Sequence, residues 1–315
     1  MVTRVFIDGE AGTTGLQIRQ RLEGRTDLHM IRLPDSARKD EKARREAIND
    51  ADIVILCLPD DAAREAIGLI DRRSVRVIDA STAHRTAPGW TYGFPEMTPG
   101  QREAIAESRR VANPGCYPTG AIALIRPLVE ARVIPQGWPV TINAVSGYSG
   151  GGKSLIQAFE DPAAPNHTKD NYRIYALGLG HKHIAEMKVY CGLHHPPLFA
   201  PSVGRFAQGM IVEVPLQLWA LPGNATVDQL RDYLAGYYGG NRFVTVASKE
   251  ETEALSSLDP EGLNNTNHLK LFVFGNDKDR QVRLVALLDN LGKGASGAAV
   301  QNLNIMIGAD EATGL

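Results

Sequence analysis

The first twenty-two residues constrain the fold more than any other stretch. Residues 2–7 (VTRVFI) are a short β-branched run, residues 8–15 (DGEAGTTG) carry three glycines, and residues 16–22 (LQIRQRL) read as an amphipathic helix. A strand, a glycine-rich turn and a helix in that order is the context a dinucleotide-binding turn requires. The glycines are spaced G-x-x-G-x-x-G. Gly9 and Gly12 would let the backbone approach a pyrophosphate, and Gly15 would let the helix sit close to the strand. Thr13 and Thr14 would add hydroxyl donors where the helix N-terminus favours an anion. The alternative is a glycine-rich turn that holds no ligand.

The alternation continues. Residues 28–33 (LHMIRL), 52–59 (DIVILCLP), 75–79 (VRVID) and 109–113 (RRVAN) read as strands, and a helix with acidic residues in its first turn begins at Asp60. Near-continuous apolar strands alternating with helices predict a doubly wound parallel sheet of Rossmann type, an α/β domain. Cys57 falls in such a strand and reads as packing, while residues 92–96 (YGFPE) read as a turn-rich loop. An NAD-binding chain usually ends its second strand in Asp or Glu, which holds the ribose 2′-hydroxyl. Here Arg32 takes that place, with Ser36, Arg38 and Lys39 close behind. A guanidinium binds a 2′-phosphate that a carboxylate would repel, so NADP(H) is favoured over NAD. Arg38 and Lys39 read equally well as a solvated basic patch opening the next helix.

Composition narrows the class. A chain of 315 residues can build two domains. The formal net charge of -2 carries no polyanion footprint, so no nucleic-acid partner is expected. No apolar run approaches the ~20 residues of a membrane span, and the N-terminus runs into a strand without a signal-peptide pattern. Three cysteines without CxxC spacing argue against a disulfide framework or a structural zinc, and fit a reducing cytoplasm.

The chemistry is expected in residues 113–120 (NPGCYPTG). Pro114 and Gly115 bend the backbone just before Cys116, and a helix reads onward from Thr119. Free backbone amides and the helix dipole at such an N-terminus stabilise a thiolate, the nucleophilic form. The alternative is a small buried residue in a tight turn. A ligand edge at the carboxyl ends of the strands would bring this cysteine and the dinucleotide turn to one crevice.

Five ordered motifs then resemble one family: the three glycines at 9, 12 and 15, residues 113–119 (NPGCYPT), 145–150 (VSGYSG), 180–186 (GHKHIAE) and 290–299 (NLGKGASGAA). They run the whole chain and closely resemble the N-acetyl-γ-glutamyl-phosphate reductases, at a length near the shorter of that family's two forms. The wider superfamily includes aspartate-semialdehyde dehydrogenase. The resemblance implies NADPH-dependent reduction of N-acetyl-γ-glutamyl phosphate to the semialdehyde with release of phosphate, in arginine biosynthesis. Covalent catalysis through a Cys116 thioester explains why a cysteine is needed. By resemblance one histidine of the pair His181 and His183 is its acid–base partner, with His183 preferred, since imidazole exchanges protons near neutrality. H-x-H alone also fits a metal, but no third ligand motif is evident, and no metal is expected.

Residues 147–154 match the spacing of a nucleotide-binding P-loop. A second nucleotide site is not needed, and the loop reads better as an anion nest for the acyl phosphate, with Ser146, Ser149 and Lys153 as candidates. Asn113, Glu186 and Arg205 complete the expected substrate set. Arg205 would be a carboxylate clamp, or equally a structural ion pair. Beyond residue 201 the pattern turns to strands at 201–214, 243–246, 269–274 and 281–288 with a helix at 227–238, predicting a mixed or antiparallel α+β substrate domain, whose open face the resemblance makes the dimerisation surface. Residues 264–268 (NNTNH) read as a polar loop of no assigned duty. A last helix at 297–307, capped by Ser296 or Gly297, is expected to return to the first domain and bring Gly297 to the cofactor. The domains are thus expected at 1–115 with 295–315, and at 116–294. By resemblance the chain is a homo-oligomer, a dimer or tetramer. Two other readings stay open: the same chemistry on aspartyl or carrier-linked aminoadipyl phosphate, or a non-catalytic NADP-binding redox sensor.

Overall fold

The structure, a computed structural model, describes residues 2–315. The chain divides into two compact units, Met1–Gly115 with Ala295–Leu315, and Cys116–Gly294.

The first unit holds one parallel sheet. Its strands are β1 (Thr3–Asp8), β2 (Leu28–Ile31), β3 (Ile53–Leu56), β4 (Arg76–Asp79), β5 (Thr91–Tyr92) and β6 (Arg110–Ala112), in the spatial order β2-β1-β3-β4-β6-β5. Alternate residues of β1 serve opposite faces. Val5 and Ile7 pack with Ile18 and Leu22 of α1 (Thr13–Leu22), whereas Phe6 packs with Ala47 and Ile48 of α2 (Glu41–Asp50) and Ala63 of α3 (Asp60–Gly68). A sheet covered on both faces needs strands apolar on both sides, so all four residues of β3 are buried. Ile105 of α4 (Gln101–Glu107) joins the Val5 side.

Two local readings are corrected here. Residues 92–96 are not wholly loop, because Thr91 and Tyr92 pair with Val111 and Ala112 as the sheet's edge strand. Arg38 and Lys39 do not open a helix. A 3-10 turn spans Asp35–Ala37, and α2 starts at Glu41 with the Asp40 carboxylate accepting from the Ala43 amide.

The second unit is built on a seven-stranded mixed sheet. Its strands are β7 (Thr141–Gly147), β8 (Tyr172–Ile174), β9 (Leu198–Gly204), β10 (Met210–Gln217), β11 (Val244–Val246), β12 (Leu269–Asn276) and β13 (Gln281–Leu288), ordered β11-β12-β13-β10-β7-β9-β8. Val212 pairs with Ala144 on one side and Ala286 on the other, and all three lie on the buried face. Five helices belong to this unit: α5 (Cys116–Glu130), α6 (Gly152–Glu160), α7 (Ile184–Tyr190), α8 (Val227–Tyr237) and α9 (Lys249–Glu253). α5 and α8 pack against the sheet. Gly120 lets α5 approach closely, since a Cβ there would stand 2.9 Å from that of Val212. The opposite face alternates into half-exposed Thr141, Asn143, Ile211 and Glu213.

β8, α6 and α9 are too short or too glycine-led for their periodicity to stand out. The last helix, α10 (Gly297–Ile307), belongs to the first unit and packs on α1 and α4. Ser296 does not cap it with its side chain. A π-helical turn, Gly292–Ser296, leads in, and the Ser296 hydroxyl donates to Gln17 Oε1 and accepts from Arg21 Nε.

Candidate active site

In the first unit, β1 runs into a turn that only glycine can make. Gly9 has φ +89°, and a Cβ there would lie 2.3 Å from the Cys57 carbonyl oxygen. A Cβ on Gly15 would lie 2.6 Å from the Gly9 carbonyl oxygen. Gly12 precedes α1 and supplies no side-chain cap, so the first-turn amides at Thr13, Thr14 and Gly15 have no intrahelical acceptor. Such a cradle fits the pyrophosphate of a dinucleotide.

Beside it is a cavity of about 330 Å³ whose lining includes Gly9, Glu10, Ala11, Arg38, Lys39 and Arg44. Arg44 is bound to the buried Asp8 carboxylate at 2.9 Å. Arg38 reaches exposed Asp35 at 2.8 Å, while the ammonium of Lys39 is exposed. β2 ends at Ile31, so Arg32 lies beyond it, exposed, and neither Arg32 nor Ser36 belongs to this lining.

Asn113 is a clamp inside the first unit. Its amide donates to the Ala295 carbonyl at 2.9 Å and accepts from Asn302 at 3.1 Å, while Asn302 also donates to the Gly93 carbonyl. Gly297 is buried at the first position of α10. The stretch 79–85 (DASTAHR), read from sequence only as a strand end, is a buried polar network. The Asp79 carboxylate accepts from the Ser81 amide and hydroxyl and meets His84 Nδ1 at 2.6 Å. Trp90 stacks on His84 with centroids 4.2 Å apart. Buried Arg85 donates to the carbonyls of Asn113 and Ala80, shaping the turn that leads to Cys116. The available signal was its position, a polar run at the carboxyl end of a buried parallel strand.

In the second unit α5 begins at Cys116 itself, three residues before the expected start, and Pro118 is accommodated within its first turn. The thiol therefore sits at the positive end of a fifteen-residue helix. Gly294 makes room for it, because a Cβ there would lie 2.7 Å from that of Cys116. The other two cysteines differ. Burial, with Asp79 and Asp8 nearby, pushes the Cys57 thiol up to about 12, and burial also raises that of Cys191.

Tyr117, the next residue, is buried, and its ring centroid lies 5.9 Å from those of both His181 and His183. The two imidazoles are 4.7 Å apart. Tyr175, unnoticed in the sequence, donates from its hydroxyl to that of Tyr117 at 2.8 Å. Burial raises the Tyr175 phenol to about 12, and a negative Cys116 adds to that. His181 Nδ1 accepts from the His183 amide at 3.1 Å. Burial, reinforced by the Lys182 charge, lowers His181 to about 4, so it is neutral at pH 7. His183 is buried at the N-cap of α7, and Glu186 is buried in that helix's first turn.

The glycine loop becomes a 3-10 turn, Tyr148–Gly151, followed by α6. Ser146 donates to the Gly147 carbonyl and also lies against the Tyr117 hydroxyl. Ser149 accepts from Asn290, whose carbonyl oxygen accepts from the Gly209 amide. Lys153 is exposed near the start of α6. Arg205 stands apart. Its guanidinium donates to the carbonyls of Asp170, Thr168 and Phe159 and lies 5.0 Å over the Phe159 ring.

Comparison with known proteins shows the family. Residues 4–108 match the family model described as semialdehyde dehydrogenase, NAD binding domain, and residues 116–290 match semialdehyde dehydrogenase, dimerisation domain. The chain is 53% identical to N-acetyl-gamma-glutamyl-phosphate reductase 2 of Nostoc sp., over 99% of each chain. It is 54% identical to the N-acetyl-gamma-glutamyl-phosphate reductase of Brucella anthropi, over 98% of this chain and 99% of the relative. Among solved structures, aspartate semialdehyde dehydrogenase II of Vibrio cholerae superposes with a TM-score of 0.71 at 15% identity over 98% of each chain, a likeness of fold. The Candida albicans enzyme, solved with NADP, gives 0.68 at 13% identity over 97% of this chain and 99% of that one. On sequence and fold together, the chain belongs to the N-acetyl-γ-glutamyl-phosphate reductase family of semialdehyde dehydrogenases.

Proposed function

We propose that this chain uses NADPH to reduce N-acetyl-γ-glutamyl phosphate to N-acetylglutamate 5-semialdehyde, releasing phosphate, as a step of arginine biosynthesis. The observation that carries the reading is the opening of α5, with Cys116 at its tip and Tyr117 packed against the imidazoles of His181 and His183.

Cys116 Sγ attacks the acyl carbon, a C–S bond forms, and the C–O bond to phosphate breaks with its electron pair leaving on phosphate. NADPH, when bound, supplies the hydride that reduces the resulting thioester. The thiohemiacetal then collapses, the C–S bond returning its pair to Sγ and the carbonyl forming as the hydroxyl proton departs. His183 takes the thiol proton and later handles that of the hydroxyl. Neutral His181 positions the His183 backbone through its Nδ1 and does not itself carry charge at pH 7.

Ser146, Ser149 and the Lys153 ammonium are the donors for the acyl phosphate, and Glu186 the acceptor for the acetamido nitrogen. Thr13, Thr14 and Gly15 hold the cofactor pyrophosphate, and Arg38 and Lys39 are better placed than Arg32 or Ser36 for a 2′-phosphate.

The half-exposed face of the second sheet ends at edge strand β8, where Tyr172 and Ile174 are 60% and 61% exposed, and Leu198 at the start of β9 is exposed too. A second copy covering it would give the homo-oligomer, a dimer or tetramer, that a dimerisation-domain match supports. No described helix is long and apolar enough to cross a membrane, and all three cysteines are free, which supports the reducing cytoplasm as its place.

The test is NADP⁺-dependent oxidation of N-acetylglutamate 5-semialdehyde in the presence of phosphate. The expected result is phosphate-dependent NADPH formation, lost by at least about 10³-fold in Cys116→Ser. Turnover of aspartate semialdehyde in its place would overturn the substrate assignment while keeping the mechanism.

A further inference from the structure

At the opposite end of α5 from Cys116, about 20 Å along its axis at 1.5 Å per residue, lies a cavity that the proposed reaction does not use. Its volume is about 490 Å³, within the range of small-ligand sites. Val129, Ile134 and Pro135 form an apolar wall, and Arg126, Glu130 and Arg132 bring charge.

The three charges are not equivalent. Arg126 meets Glu130 at 2.8 Å and donates to the Tyr190 carbonyl at 2.9 Å, so it ties α5 to the last residue of α7. Glu130 also accepts from the Tyr237 hydroxyl at 2.9 Å. The Arg132 amide donates to the Val129 carbonyl at 3.0 Å, but its guanidinium has neither hydrogen bond nor ion pair among the described residues, and the residue is exposed in the lining of the cavity. Its backbone is held at φ 61°, a left-handed conformation that costs a non-glycine residue on the order of 1 kcal/mol and that glycine would adopt more readily. Arg132 in that conformation lines the cavity, as does Gln136.

We infer that this cavity binds a small zwitterionic α-amino acid and that its occupancy is transmitted to the catalytic thiol. The carboxylate pairs with Arg132 in bidentate fashion, the ammonium faces Glu130, and the side chain lies on Val129 and Pro135. Transmission runs through Arg126, because a ligand competing for Glu130 changes the bridge from α5 to Tyr190. Those two helices carry Cys116 at the start of one and His183 at the cap of the other. Coupling of this kind is a difference in affinity between two arrangements of one bridge.

The experiment is isothermal calorimetry of the full chain with L-arginine, L-glutamine and L-leucine, each to about 10 mM, alongside the rate of Cys116 alkylation by iodoacetamide. At least one amino acid is expected to bind at one site per chain. Binding should weaken at least tenfold in Arg132→Ser, which keeps the basal turnover of the wild type. Saturation should change the alkylation rate at least twofold in the wild type and not in Arg132→Ser. The absence of binding by all three, or equal binding by Arg132→Ser, overturns the site. Binding that leaves alkylation unchanged overturns the transmission.

Discussion

On the proposed function, two glycine-assisted helix starts carry the chemistry, and they use the same geometry for different ends. At α1 the chain puts glycines where the backbone must come close, leaving amides bare and no side chain in the way. At α5 the first residue is itself a side chain with chemistry, and the glycine that makes room for it, Gly294, comes from a distant part of the chain. The first start suits an anion that arrives from solution. On the proposed function the second suits an anion that the protein itself would carry, a Cys116 thiolate. In that proposal the same partial charge serves binding in one unit and nucleophilicity in the other.

The comparison breaks most sharply at its glycines. Gly15→Ala pushes a Cβ against backbone at 2.6 and 2.8 Å. Overpacking costs about 1–3 kcal/mol, so NADPH affinity should fall roughly ten- to hundredfold by fluorescence titration, with Cys116 alkylation unchanged. Gly294→Ala should do the reverse, lowering alkylation and turnover by a similar factor while NADPH still binds. If both variants lose the same property, the two starts are not separate devices.

A smaller effect sharpens the cofactor side. Lys39→Ala should weaken NADPH about tenfold and leave NADH unaffected, the signature of a lost 2′-phosphate contact. Equal losses for both cofactors would place Lys39 elsewhere.

The smallest effect concerns His181. Its folded pKa of about 4 lies below the ordinary value of 6.5, so the unfolded chain binds more protons between those limits. Stability is therefore unaffected above pH 6.5 and declines as pH falls toward 4. After discounting for solvent screening the loss is roughly 1 kcal/mol. Urea unfolding at pH 7 and pH 5 should show it, and His181→Asn should flatten the difference.

Much of the first sheet was legible before any coordinates. Four buried strands announced themselves through β-branched runs, because a parallel strand covered on both faces must be apolar throughout. The edge strand β5 did not, since two residues carry no period. In the second unit β10, β12 and β13 were visible in the sequence, while β8 and α6 were hidden by their length and their glycines. Cys116 and the His181–His183 pair stood out as motifs. Tyr175, Arg85 and Asp79 did not, because each acts through a partner, and partners across sequence leave no local mark.

The distinction extends to single side chains. Arg205 and Asn113 have the chemistry of substrate clamps, yet their donors are spent on neighbouring carbonyls. By itself the sequence determined the alternating α/β pattern and the strand–turn–helix opening, and it singled out Cys116 as the proposed nucleophile, because spacing along the chain encodes backbone conformation and face. Only the tertiary structure decided that His181 is neutral at pH 7, which cations line the cavity beside the glycine turn and which polar groups remain available. Those outcomes depend on burial and on hydrogen bonds between residues far apart in the chain, and neither is a property of local order.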